Sequence, residues 1–237
     1  MMMRTSLFTD KDRGHGFYGA VFGIVSLGLV LNALLVVACL PFVALLITTD
    51  PALSWPALAL TAPLCGPALA AACAVLREHG QTVDGAAHGG LVRTFLAAYR
   101  VVFARGLAVA TVVTAVVTVA LVDVRMMSDT AASVLVVPLL LMVALLALGT
   151  GAVAIVAVAE APGTRLLPLL RASLYLAVKR WPLTLLSLGA VAVQGVLFAS
   201  LPALALGLTA SATLYLVWAD GRYTLTPALA APPAEAI

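Results

Sequence analysis

The stretch Trp181 to Ala219, WPLTLLSLGAVAVQGVLFASLPALALGLTASATLYLVWA, runs for 39 residues without a charge. A helix rises about 1.5 Å per residue and needs about 20 apolar residues to cross the hydrocarbon of a bilayer. The run is therefore too long for one ordinary span and just long enough for two. Pro202 is the natural turn, because proline cannot continue a helical hydrogen-bond ladder. The expectation is two spans, residues 182–199 and 203–219, joined tightly at Ala199 to Pro202. One long tilted helix with a re-entrant or interfacial segment is the alternative.

The rest of the chain asks for the same solvent. Of 237 residues 63% are hydrophobic and 10% charged, against roughly 25% charged in a soluble domain, so a water-facing surface could not be covered. The apolar runs are rich in Leu, Val and Ala without alternation, which favours helices over the strands of an outer-membrane barrel. The net charge of +3 would suit nucleic acid only if the basic residues shared a soluble face. They flank apolar runs instead, so the expected partner is the lipid bilayer and not nucleic acid.

The segment 1–16 is polar and carries Arg4, Lys11 and Arg13. It resembles the start of a signal peptide, but the charge-free run Phe17 to Thr48 exceeds the roughly 7 to 15 residues of a signal core. A retained first span at 17–48 is expected. After the turn-like TTDPALSWP a second follows at 55–76, with Trp55 at the far interface. Gly80, Gly85, Gly89 and Gly90 argue against a long helix at the start of the connector Arg77 to Arg105. Spans at 106–122 and 131–159 come next, then a second basic connector, Glu160 to Arg180. The tail, 223–237, reads as disordered.

Lys and Arg accumulate in cytoplasmic loops. With six spans and both termini inside, the cytoplasmic side holds 12 of the 13 basic residues, and the outer side keeps Arg125 beside Asp50, Asp123 and Asp129. A wrong span count between two basic loops would break that segregation. The chain thus reads as an all-α, six-span transmembrane helical bundle, N-in and C-in, with basic amphipathic cytoplasmic connectors, forming one domain over 17–222.

The connectors resemble each other at an offset of 78 residues, with Leu91, Arg93 and Leu96 matching Leu169, Arg171 and Leu174. In the first, Arg93 and Arg100 share one helix face, while Phe95, Tyr99, Val102 and Phe103 gather on another. Either an interfacial helix or a cytoplasmic extension of the third span fits, the latter with snorkelling arginines. Arg93, Arg100, Arg105, Arg171, Lys179 and Arg180 are the candidates for docking a cytoplasmic partner.

The expected spans contain no Asp, Glu, Lys, Arg or His, the usual marks of proton relays and ion paths, so a proton-coupled pump is not expected. Asn32 and Gln194 remain as candidates for interhelical hydrogen bonds or a small polar cavity. Pro63, Gly66 and Pro67 mark a candidate helix break, a device that builds sites in transporters but is also ordinary in membrane helices. Gly19 with Gly23, and Ala147 with Gly151, are small-residue pairs suited to close packing. His79 and His88 have no ligand spacing, and Cys39, Cys65 and Cys73 read as small hydrophobes. No hydrolase, zincin or P-loop motif occurs, so neither an enzyme nor a metal or other cofactor is expected.

The segment LNALLVVACLPFVALL, Leu31 to Leu46, resembles the N-L-L-W-x-L-x-x-L-P-I-V-T pattern of the YesL-type family, bacterial integral membrane proteins carrying a domain of unknown function. Asn32, Leu34, Leu40 and Pro41 match. TAPLCGPALAAACAVLR is similar to the family's next segment, with Gly66, Pro67, Ala68 and Arg77 in register, and TFLAAYRVVFARG follows with Phe95, Tyr99 and Arg100. The sequence departs where Leu35 or Val36 replaces the tryptophan, and in lacking the threonine after the Leu-Pro segment. The resemblance implies a multi-pass protein of the bacterial cytoplasmic (inner) membrane. By association it also implies a non-enzymatic accessory role in carbohydrate uptake beside sugar-transporter subunits. The alternative is a small neutral-solute permease, with a path near Asn32, the Pro63 to Pro67 break and Gln194.

Overall fold

The computed structural model describes residues 11–79, 88–130 and 132–229. Ten helices and no strand occur among them: α1 (Lys11–Ala38), α2 (Leu40–Thr48), α3 (Pro51–Thr61), α4 (Cys65–His79), α5 (His88–Met127), α6 (Ser133–Glu160), α7 (Leu166–Lys179), α8 (Trp181–Ser200), a single turn α9 (Pro202–Leu204) and α10 (Ala210–Leu229). A 3₁₀ turn, Ala62–Leu64, joins α3 to α4, and a π-helical segment, Ala205–Thr209, joins α9 to α10. The expectations for Arg4, Gly80, Gly85 and residues 230–237 lie outside the described residues, as do the side chains of Lys11, Arg13 and His88.

Among the described residues five helices are long and apolar enough to cross a bilayer: Pro51–His79, Gly90–Met127, Ser133–Glu160, Trp181–Ser200 and Pro202–Thr226. Val25–Ala38 and Leu40–Thr48 pass together as a sixth, bent by 79° between them. The protein is a polytopic helical membrane bundle. Its final apolar block is two helices, parted at Leu201, whose φ of −142° and ψ of 72° leave the helical region just before Pro202.

Several boundaries differ from the sequence reading, each for a local reason. The first apolar run is not one straight span: Pro41 sits in the first turn of α2, where it has no N–H to return to Val37, and the chain bends at Cys39. The helix of the second span, α3, starts at Pro51 rather than residue 55, because the Asp50 side chain caps it by accepting a 2.8 Å hydrogen bond from the Ala52 N–H. In the first connector the structure takes the continuous form, in which the Arg93 to Arg100 stretch extends the third span, and the helix already includes Gly89 and Gly90. α5 begins at His88 and continues unbroken to Met127, since Leu91, Phe95 and Val102 bury one face of its first turns in the core, and packing outweighs glycine's low propensity. The last helix runs seven residues past Arg222, so residues 223–229 are helical, not disordered. Thr224 and Leu225 there are buried.

The two related connectors share a burial pattern. Leu91 and Leu169 are buried, as are Phe95 and Ser173 at the same offset, whereas Arg93 and Arg171 are exposed. They diverge afterwards: α5 passes straight on, but α7 stops at Lys179, and α8 restarts with Pro182 in its first turn. The core unites α1, α4, α5, α6, α7 and α10. Small residues dominate α4 from Gly66 to Leu76, where every residue but the half-buried Leu69 is buried.

Candidate functional site

The polar groups of the apolar helices converge on two places. The first is the π-helical segment before α10. Such a segment shifts the backbone ladder and leaves carbonyls free for other partners. Asn32 of α1 donates through Nδ2 to the Gly207 carbonyl at 2.8 Å, and Gln194 of α8 donates through Nε2 to the Ala205 carbonyl at 2.7 Å. Gln194 Oε1 accepts in turn from the hydroxyls of Thr209 at 2.8 Å and Thr213 at 3.2 Å. Two amides far apart in the chain thus fasten α1 and α8 to one irregular segment. Gln194 is satisfied at both ends, whereas Asn32 Oδ1 is buried with no partner.

The second place is where α4, α6, α8 and α10 gather their polar ends. Arg77 Nη1 donates to the Ala159 carbonyl at 2.6 Å, closing the C-terminal end of α6. Trp218 Nε1 donates to the Glu160 carboxylate at 3.2 Å, and the Arg222 guanidinium lies 5.4 Å from the centre of the Trp218 ring. Nearby, the Ser187 hydroxyl of α8 donates to the Asp220 carboxylate of α10. Asp220 falls within the apolar helix Pro202–Thr226. The sequence reading ended that span at Ala219 and so counted no carboxylate inside it. The helix itself continues past Ala219 to Leu229, so Asp220 lies on the same helix as that apolar run.

The candidate break is a close helix crossing. Pro63 lies in the 3₁₀ turn, and Gly66 and Pro67 open α4. A β-carbon on Gly66 would meet the carbonyl oxygen of Gly106 and come within 2.5 Å of Ala110 Cβ, and one on Gly106 would lie 2.9 Å from Pro67 Cα. The break brings two backbones into contact. Gly151 packs likewise against Val113, while Gly23 has nothing within 4 Å of a β-carbon. Cys39, at the bend, and Cys65, at the start of α4, come close enough for their thiols to interact, a proximity that their spacing did not suggest.

The six basic docking candidates separate. Arg93, Arg100, Arg171 and Lys179 are exposed. Arg180 is committed internally, donating through Nη1 to the Tyr223 carbonyl at 2.8 Å with its guanidinium 4.8 Å from the Tyr223 ring centre. Arg105 is half-buried, and its Nη1 has no hydrogen-bond partner.

A family model described as Protein of unknown function, DUF624, matches residues 29–124. The chain is similar to that family from within α1 through most of α5, a stretch that contains the bend at Cys39, the break at Pro63 to Pro67 and the Gly66–Gly106 crossing. No curated protein and no solved structure matches the chain.

Proposed function

We propose that this protein is a non-enzymatic accessory subunit of the bacterial cytoplasmic membrane, oriented N-in and C-in. In this reading it docks a carbohydrate-uptake complex through the basic faces of α5 and α7. The observation that carries this is the division of labour among its polar residues. Asn32 and Gln194 are spent on backbone carbonyls of the bundle itself, while Arg93, Arg100, Arg171 and Lys179 stand exposed on helices continuous with the spans or packed on them. Exposed charge beside a membrane selects and steers a partner of opposite charge. The carbohydrate link rests on the resemblance to YesL-type proteins.

The test is affinity purification from native membranes in mild detergent. Sugar-transporter components should co-purify with the wild-type chain. Reversal of all four charges (Arg93→Glu, Arg100→Glu, Arg171→Glu, Lys179→Glu) should cut their recovery by about ten-fold or more at unchanged expression. Recovery that is nil with the wild type, or equal with the variant, contradicts docking. A neutral-solute permease is the second reading, favoured by the unpartnered Asn32 Oδ1 beside the π-helical segment. Sugar flux into vesicles holding this chain alone would establish it in place of the first.

A further inference from the structure

Arg180, Ser187 and Gln194 are hydrogen-bonded to Tyr223, Asp220 and Thr213 in turn, so α8 and α10 run antiparallel and α8 begins where α10 ends. With 20 residues, Trp181–Ser200 is just long enough to cross a bilayer. That sets Trp181 and this end of α10 at a lipid–water interface. The aromatic residues agree: Tyr175, Trp181 and Tyr223 are 63%, 63% and 64% exposed, and Tyr and Trp gather at that depth.

The same end is rich in positive charge. From Leu166 to Leu229 the chain carries Arg171, Lys179, Arg180 and Arg222 against Asp220 alone, while Glu160, at the end of α6, accepts from Trp218. Two of those cations are held in place. Arg180 lies 4.8 Å from the Tyr223 ring centre and donates through Nη1 to the Tyr223 carbonyl, and Arg222 lies 5.4 Å from the Trp218 ring centre. Such contacts fix a guanidinium without discharging it. Each carries five N–H donors, of which Arg180 uses one in this bond. Neither forms an ion pair among the described residues. Groups already fixed in this way lose little freedom on meeting an anion.

We propose that this end of the bundle seats the phosphate of one anionic phospholipid, bound by Arg180 and Arg222, with its acyl chains laid along α8. A phosphodiester presents two oxygens that match the paired donors of a guanidinium. Trp181 and Leu185, one turn apart and both exposed, continue the seat into hydrocarbon. An anionic lipid balances the surplus of positive charge, whereas the ammonium of a zwitterionic lipid opposes it. A free phosphate would gain no apolar contact. The seat does not depend on the docking faces of α5 and α7, since neither Arg180 nor Arg222 is among the four charges assigned to them.

Thermal unfolding of the full chain in detergent tests the seat, with added dioleoylphosphatidylglycerol, dioleoylphosphatidylcholine or inorganic phosphate at fixed pH and ionic strength. The midpoint should rise with phosphatidylglycerol to a plateau and stay level with the other two. Arg180→Gln and Arg222→Gln should each raise the half-maximal phosphatidylglycerol concentration about five-fold, the equivalent of about 1 kcal/mol per basic residue at a membrane surface. Arg125→Gln, at an exposed arginine in the last turn of α5, should respond as the wild type does. Should Arg180→Gln fail to fold, Arg222→Gln decides alone. The proposal is overturned by equal responses to the two lipids, by no response to either, or by a matching rise with inorganic phosphate. A phosphatidylglycerol response unchanged in Arg222→Gln, or weakened as much in Arg125→Gln, overturns it too.

Discussion

Gly66→Val is expected to destabilise the bundle by about 3 kcal/mol, near the upper end of overpacking costs, seen as a fall in the midpoint of denaturant or thermal unfolding in detergent. The reason is what the new side chain would strike. Most overpacked sites relax by moving a flexible side chain, but here the obstacles are the Gly106 carbonyl and the Ala110 β-carbon at 2.5 Å, both fixed to the backbone of α5. Relief requires α4 and α5 to separate, and that would open the buried run from Gly66 to Leu76. Gly23→Ala is the control. No atom lies within 4 Å of its β-carbon, so the gain in helix propensity, up to about 1 kcal/mol, should leave that variant level or slightly stabilised. Equal effects at the two positions would refute the backbone crossing.

Gln194→Leu should cost about 2 kcal/mol, and Asn32→Leu about 1 kcal/mol, measured the same way. Single hydrogen bonds between membrane helices contribute about 0.6 kcal/mol on average and rarely exceed about 1.7. Gln194 makes three, one as donor to Ala205 and two as acceptor from Thr209 and Thr213; its loss also takes an acceptor from two hydroxyls, of which Thr209 keeps the Ala205 carbonyl at 3.2 Å. Asn32 makes one, to Gly207, and already carries an unpartnered oxygen, so leucine there removes an existing penalty together with the bond. An asparagine variant costing as much as the glutamine variant would show that Asn32 Oδ1 has a partner after all.

How far the candidate sites were legible follows from where their partners lie in the chain. Asn32 and Gln194 stand out in any apolar run because an amide there needs a partner. Their convergence on Ala205 to Thr209 could not be read, since a π-helical segment leaves no compositional mark. The break at Pro63 to Pro67 is visible as proline and glycine, but Gly106, its counterpart, looks like an unremarkable glycine until α5 packs against it. Asp220 was hidden differently. It follows the last uncharged run and looks like the start of a tail, and only the helical course to Leu229 sets it opposite Ser187 of α8. Arg180 shows the converse: it reads as a free cation of a basic loop, yet its guanidinium is committed to Tyr223.

The sequence by itself determined the solvent, the helical class and the division of the last 39 uncharged residues into two helices. Those follow from local quantities: apolar length against bilayer thickness, the cost of charge in hydrocarbon, and proline's missing donor. Only the tertiary structure decided the bend at Cys39, the choice of a continuous α5 over a separate interfacial helix, the backbone contact of Gly66 with Gly106 and the pairing of Asp220 with Ser187. Each depends on which small or polar residue meets which across helices, and residues distant in the chain are brought together only by packing.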